Sequence, residues 1–260
     1  MFKKIISLAI ALITILTLFN IFAFADYNEY LENELYSDSA VLICTDNDEV
    51  IFQKNMNKQS KPASMTKVIT ASVVLENCSD LTQVVTVPES CIRELDGTGS
   101  SMSGLKIGET ITVYDLLCCL LIPSANDAAT ILANFITGDD RQAFVDKMNA
   151  LAESLGCVNS HFMNVHGLDD DDQYTTPCDM AKFLKNAMQY SVFEEISGML
   201  NYTLPESNLQ KERTINSTNY TLNKAYKDYY CPYSKGGKRG QHLLQDTVFA
   251  QWHQRTAIIT

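Results

Sequence analysis

No pair of cysteines in this 260-residue chain forms a C-x-x-C. The eight cysteines are scattered at Cys44, Cys78, Cys91, Cys118, Cys119, Cys157, Cys178 and Cys231. That spacing argues against both a disulfide framework and a clustered zinc site. There are four histidines and no H-E-x-x-H, which removes the common zinc-peptidase signature. No G-x-S-x-G is present to seat a nucleophile beside either His161 or His166. Basic residues are in deficit, 20 Lys and Arg against 31 Asp and Glu, for a formal charge of −11. Phosphates would be repelled, so nucleic acid is excluded as a partner. Internal repeats and low-complexity linkers are also missing. No metal or other cofactor is expected, and the thiols are read as free and mostly buried, with one or two bridges left open.

The composition that remains, 46% hydrophobic and 20% charged, suits one sizeable globular core. The chain opens MFKKIISLAIALITILTLFNIFAFAD. Lys3 and Lys4, an uncharged run from Ile5 to Phe22 and the small-x-small Ala23-Phe24-Ala25 make an export signal over residues 1–25. The run is also nearly long enough to span a bilayer, which leaves an uncleaved membrane anchor as the alternative. Either way the working domain is expected outside the cytoplasmic membrane.

Two short apolar segments around Asp46-Asn47-Asp48 predict a hairpin over residues 38–54. Met65, Val68, Ile69 and Val73 recur at helical spacing, with Pro62 near the start of that helix. LTQVVTV (81–87) reads as a strand and GTGSSMSG (97–104) as a loop. Thr112 and Asp115 form a capping-box pattern before a buried helix that Pro123 ends. Helices follow over 126–137, 140–155 and 178–189, then a polar, less regular stretch from about 197 to 235. The fold class is mixed α/β, with a helical subdomain at about 88–190.

Ser64-Met65-Thr66-Lys67 sets a hydroxyl and an amine three residues apart at the start of a predicted helix, so that Lys67 can reach Ser64. A serine nucleophile needs such a base beside it. By itself the pattern also suits a helix surface whose lysine stem lies along it. Ser124-Ala125-Asn126 follows Lys67 by 57 residues, at a break between helices. It too has a plainer reading, as a cap for the next helix. Ser217-Thr218-Asn219 repeats the S-x-N pattern.

In sequence context the motifs carry more. PASMTK followed by LLIPSANDAA resembles the serine D-alanyl-D-alanine carboxypeptidases, the low-molecular-mass penicillin-binding proteins of the S11 type. The likeness extends through residues 99–133, through His161-Phe162-Met163-Asn164-Val165-His166-Gly167-Leu168-Asp169 and TTPCDMAKFL, over about 36–236. It implies the β-lactamase/D,D-peptidase fold, an antiparallel sheet flanked by helices. It further implies that Ser64 attacks the bond between two D-alanines of a peptidoglycan stem peptide. Lys67 would take the serine proton, Ser124 would relay a proton, and Asn126 would hold the substrate amide. β-Lactams would acylate the same serine. The His161–Leu168 segment is, by the same resemblance, a structural turn. A β-lactamase is a second reading, but the motif here is S-A-N rather than S-D-N and no E-x-x-L-N is evident.

The family's third motif, lysine-threonine-glycine, supplies positive charge, a hydroxyl for the substrate carboxylate and, from the next residue, an oxyanion-hole N–H. This chain has no K-T-G; Lys238-Arg239-Gly240 stands in its place, and both Lys238 and Gly240 are taken as substrate-binding. Arg239 is larger than threonine but well suited to a carboxylate. After it, QHLLQDTV is unlike the family. One codon choice for those residues, read two bases later, gives T-S-A-S-G-Y-C. The departure therefore reads as a frame shift at about Lys238–Gly240, with 241–260 as an aberrant tail. On that reading the sheet keeps about three strands, stability is marginal, turnover is small, and a non-catalytic β-lactam- or cell-wall-binding remnant becomes the alternative.

Overall fold

A computed structural model describes residues 35–241 and the backbone of residues 247–253 and 256–259. The export signal expected over residues 1–25 lies outside the described residues. The chain begins with the expected hairpin, β1 (Ala40–Cys44) and β2 (Val50–Lys54). Asp48 adopts φ 61° in the turn, a conformation that a short polar side chain tolerates. The ladder slips by one residue between Leu42 and Ile43, a bulge that brings Ile43 opposite Val50.

The principal sheet has five antiparallel strands in the order β2-β1-β9-β8-β7, with β7 at Gly236–Gln241, β8 at Thr247–His253 and β9 at Thr256–Ile259. This corrects the expectation of an incomplete sheet of about three strands. The residues after 241 do complete it: β9 pairs with β1 from Val41↔Ile259 to Cys44↔Thr256, and β8 joins β9 to β7. The reason is that a ladder is made by backbone N–H and C=O groups. TVFAQWH and TAII are rich in β-branched and aromatic residues, so they can supply strands without matching the family side chain by side chain.

α6 (Pro177–Ala187) packs against β1, β8 and β9 of the sheet, and against α6 lies α1 (Thr66–Asn77), the central helix, in which every residue from Thr66 to Leu75 is buried. Such all-round burial places it inside the core, and its buried hydroxyls at Thr70 and Ser72 are satisfied by backbone carbonyls. It packs on α3 (Val113–Leu121), α4 (Asn126–Thr137), α5 (Arg141–Ser154) and α6 (Pro177–Ala187). Leu116, Leu117, Cys118, Cys119 and Leu120 have no exposed surface. Burial of each such leucine contributes about 1.5–3 kcal/mol. The expected cap of α3 is present: Thr112 Oγ1 accepts from Asp115 N at 3.1 Å and donates to Asp115 Oδ2 at 2.6 Å.

Four short pieces were not legible in sequence. These are α2 (Glu89–Arg93), α7 (Ser191–Ser197), the strand β4 (Thr110–Thr112) that pairs with β3 (Val84–Thr86), and a hairpin of β5 (Asn201–Leu204) with β6 (Arg213–Asn216). The hairpin lies inside the stretch read as irregular. Four alternating residues per strand are too few to stand out as a period. All eight cysteines are free, and burial pushes the Cys119 thiol up to about 12.

Candidate active site

The chain turns sharply before α1. Ala63 has φ 47°, a left-handed conformation unfavourable for an L side chain, and begins the 3-10 turn Ala63–Met65 that carries Ser64. Gly167 seats against this turn. At φ 89°, it lies where a Cβ would stand 1.8 Å from the Ala63 carbonyl oxygen, so no other residue fits. Asn164 shapes that second turn by accepting from Gly167 N at 2.7 Å and donating to Leu168 O at 2.8 Å.

Lys67 lies on the first turn of α1, with Nζ 2.9 Å from Ser64 Oγ and donating to the His166 carbonyl at 2.6 Å. The contact expected from the i, i+3 spacing is therefore made. Burial, and then the charge of Lys238, push the Lys67 ammonium well below the usual lysine range, against an opposing pull from Asp127. The amine so disfavoured as a cation has a lone pair for a hydroxyl proton. His166 contributes its backbone here; burial, then the Lys67 charge, hold its ring at about 3, so the imidazole is neutral. Its Nδ1 accepts from Leu168 N at 3.2 Å. His161 is bonded to the Asp172 carbonyl on another part of the turn.

Ser124 has φ 69°, and its Oγ is buried with no hydrogen-bond partner among the described residues. It does not cap α4: the capping position is Ala125, where no side-chain bond forms. Asn126 opens α4 and donates its N–H to Ser101 O at 2.7 Å. Asp127, a residue that sequence reading passed over, pins the facing loop. Its carboxylate accepts from Ser103 N and Ser103 Oγ at 3.0 Å and from Leu105 N at 3.4 Å.

On the far side runs β7. Gly240 is pressed onto the nucleophile turn; a Cβ there would meet Ala63 Cβ and Pro62 O at 3.2 Å and Ser64 N at 3.3 Å. Lys238 is buried and reaches towards the Leu121 carbonyl at 3.5 Å. Burial, then the neighbouring Arg239 charge, lower it to about 7. Successive side chains of a strand turn opposite ways. Arg239 accordingly lines the cleft, its guanidinium carbon 4.5 Å over the Tyr220 ring.

These elements enclose a cleft of about 410 Å³. Ser64, Ser124, Asn126, His166, Gly167 and Arg239 line it, with Thr98–Ser101 and Thr218 from loops that carried no functional reading in sequence. The structure thus brings Ser64, Lys67, Ser124, Asn126, Lys238 and Gly240 together around one turn, the last two on the inner face of β7. A base-activated serine beside an unpartnered hydroxyl, with strand backbone against its N–H, is an arrangement for acyl transfer.

The comparisons agree with that chemistry. The family model described as Peptidase_S11, D-alanyl-D-alanine carboxypeptidase, matches residues 26–242. The D-alanyl-D-alanine carboxypeptidase DacF of Bacillus subtilis is 32% identical over 217 residues, 83% of this chain and 55% of the relative. A D-alanyl-D-alanine endopeptidase of Pseudomonas aeruginosa is 32% identical over 192 residues, 74% of this chain and 57% of its own length. The chain thus spans a little over half the length of these curated relatives. The solved Streptomyces K15 DD-transpeptidase superposes with a TM-score of 0.76 at 25% identity, covering 86% of this chain and 88% of that one. Site geometry, fold and family match converge: the chain belongs to the S11 peptidases, the D-alanyl-D-alanine carboxypeptidase family.

Proposed function

We propose that this chain is a serine-type D-alanyl-D-alanine carboxypeptidase that removes the terminal D-alanine from peptidoglycan stem peptides and is acylated by β-lactams. The observation that carries the reading is the 2.9 Å contact between Lys67 Nζ and Ser64 Oγ at the mouth of the cleft. Lys67, disfavoured as a cation, accepts the hydroxyl proton as Ser64 Oγ bonds to the carbonyl carbon between the two D-alanines. The Ser64 N–H, with the N–H that follows Gly240, receives the developing oxyanion; one such donor is typically worth about 3–4 kcal/mol of barrier. Ser124, its hydroxyl otherwise unpartnered, passes a proton to the leaving amine as the C–N bond breaks. Water then cleaves the ester, and the proton balance is restored through Lys67. Asn126 is positioned to hold the substrate amide.

Activity at the outer face of the cytoplasmic membrane or in the wall follows from the signal pattern of residues 1–25, with membrane association if that segment is retained. The expectation of little turnover rested on missing strands, and the five-stranded sheet supports a working site instead. A shift of frame at Lys238–Gly240 is decided by the encoding DNA, which on that reading must give a family-like strand in another frame.

The test is incubation of the purified chain with a fluorescent penicillin beside Ser64→Ala, together with release of D-alanine from an acyl-D-Ala-D-Ala peptide. Labelling and release that both vanish in the alanine variant are the expected result. Labelling without release favours the non-catalytic β-lactam-binding remnant, for which the bulk of Arg239 in the cleft is the specific argument. No labelling of folded protein overturns the proposal.

A further inference from the structure

Gln173 belongs to none of the motifs read from the sequence, yet it is only 1% exposed and its amide bridges the two ends of one turn. Its Oε1 accepts from Met163 N and Asn164 N, both at 3.1 Å, and its Nε2 donates to Leu168 O at 3.0 Å. The loop around this turn is closed at its base. His161 and Tyr174 exchange backbone bonds at 2.9 and 3.0 Å, and Ser60 and Thr175 exchange a further pair at 2.9 Å. The second pair ties the loop to the chain just ahead of Ser64. Beyond Ser64, Thr70 Oγ1 donates to Val165 O at 2.7 Å and Lys67 Nζ to His166 O at 2.6 Å. The loop therefore holds the chain on both sides of Ser64.

We infer that Gln173 is a positioning residue for the base: it sets the turn 163–168 so that the His166 carbonyl stabilises Lys67 as Lys67 takes the Ser64 proton. The inference rests on the acyl-transfer reading above and goes beyond it, because that reading names the base but not what receives the charge the base acquires. As Ser64 Oγ bonds to the substrate carbonyl carbon, its O–H bond breaks and the proton passes to the Lys67 lone pair. A buried ammonium results. Burial disfavours that cation, and the charged groups around it pull in opposite directions, Lys238 of β7 against it and Asp127 of α4 for it. The His166 ring is neutral and adds no charge. Its carbonyl oxygen, 2.6 Å from Nζ, presents the negative end of a dipole that is in place before the charge arrives. The benefit depends on the turn being held, since a displacement of about 1 Å in such a group can cost up to about 100-fold. Without the Gln173 amide, two backbone N–H groups lose their acceptor and the turn its cross-brace.

The experiment follows the rate of acylation of the full chain by a fluorescent penicillin against pH, with the labelled end point counting assembled sites. Gln173→Met keeps the length of the side chain and loses its amide. It should slow acylation per assembled site by about 10- to 100-fold. It should also move the midpoint of the rise with pH down by about one unit, because an ammonium with a weaker acceptor gives up its proton more readily. Lys238 and Asp127 stay in place, so the difference from wild type reports the turn. Should Gln173→Met fail to fold, Thr70→Val, which frees the same turn from α1, decides by the same two readings. Ser72→Ala, which removes a buried bond to Val68 O within α1, should leave the midpoint where it is. A midpoint that stays or rises in the deciding variant refutes the positioning role, as does a loss confined to the amount of labelled protein. An equal shift in Ser72→Ala refutes it too, since any loosening of α1 would then suffice. A folded wild type inert to penicillin would instead sink the underlying acyl-transfer reading.

Discussion

Ser124-Ala125-Asn126 and Ser217-Thr218-Asn219 share one pattern and have opposite fates. At the second site the serine and asparagine oxygens are used locally: Ser217 Oγ accepts from Asn219 N at 3.1 Å, and Asn219 Oδ1 accepts from both Thr221 N and Thr221 Oγ1. It is a turn that satisfies itself. At the first, the serine is held at φ 69° with a buried hydroxyl lacking a partner among the described residues, and the asparagine faces the cleft. Strain and an unsatisfied buried hydroxyl both cost stability, and the proton relay proposed for Ser124 would give that cost a purpose. The difference lies in what the surrounding chain does with the residues, not in the tripeptide.

The largest effect expected from this contrast is on turnover. Ser124→Ala should lower kcat/KM for D-alanine release by about 10²- to 10⁴-fold, the usual worth of a positioned proton donor. Ser217→Ala should stay within about 2-fold, as for a substitution outside the chemistry. Equal losses would erase the distinction. The asparagines should split in the same sense but by less. Asn126→Ala is expected to slow penicillin acylation by about tenfold or more through the lost amide contact. Asn219→Ala should leave acylation unchanged while lowering the unfolding free energy by about 1 kcal/mol, as for loss of a cap. Denaturant melts beside acylation rates read both.

Two buried lysines sharpen the comparison through pH. Acylation should rise with pH as Lys67 sheds its proton, at a pH below the ordinary lysine range because burial and the Lys238 charge lower its affinity. A profile governed by an unshifted lysine would contradict the base assignment. Lys238 affects stability. It titrates near 7 when folded and near 10.5 when unfolded, so between those values the unfolded chain binds the extra proton. The penalty for burying this lysine is therefore fully present below about pH 7 and fades as pH rises towards 10.5. The stability gap between Lys238→Met and wild type should shrink across that window, by at most about 1.4 kcal/mol per pH unit. A constant gap would mean that Lys238 stays protonated in the fold. It is the smallest and slowest of these effects to measure, yet the one that reads the inner face of β7 most directly.

Local residue pattern was enough to place the hairpin at 38–54, the helix from Thr66, the capped helix from Val113 and the Ser64–Lys67 contact, because each depends on neighbours within one turn. It also supported the family resemblance, which the family match to residues 26–242 bears out. What lay beyond it were relations across the chain. That Gly167 must be glycine is evident only when it meets Ala63, and that Asp127 anchors the opposite loop only when Ser103 arrives. The expectation of an incomplete sheet failed for a related reason: the side chains after 241 are unlike the family's, but sheet closure depends on extended backbone meeting β1 in register. The sequence by itself determined the Ser64–Lys67 pairing and the elements that carry it. Tertiary structure alone decided which S-x-N lines the cleft, which lysine turns inward and which cation faces the cleft, because each of these is settled by burial and by partners far away in the chain.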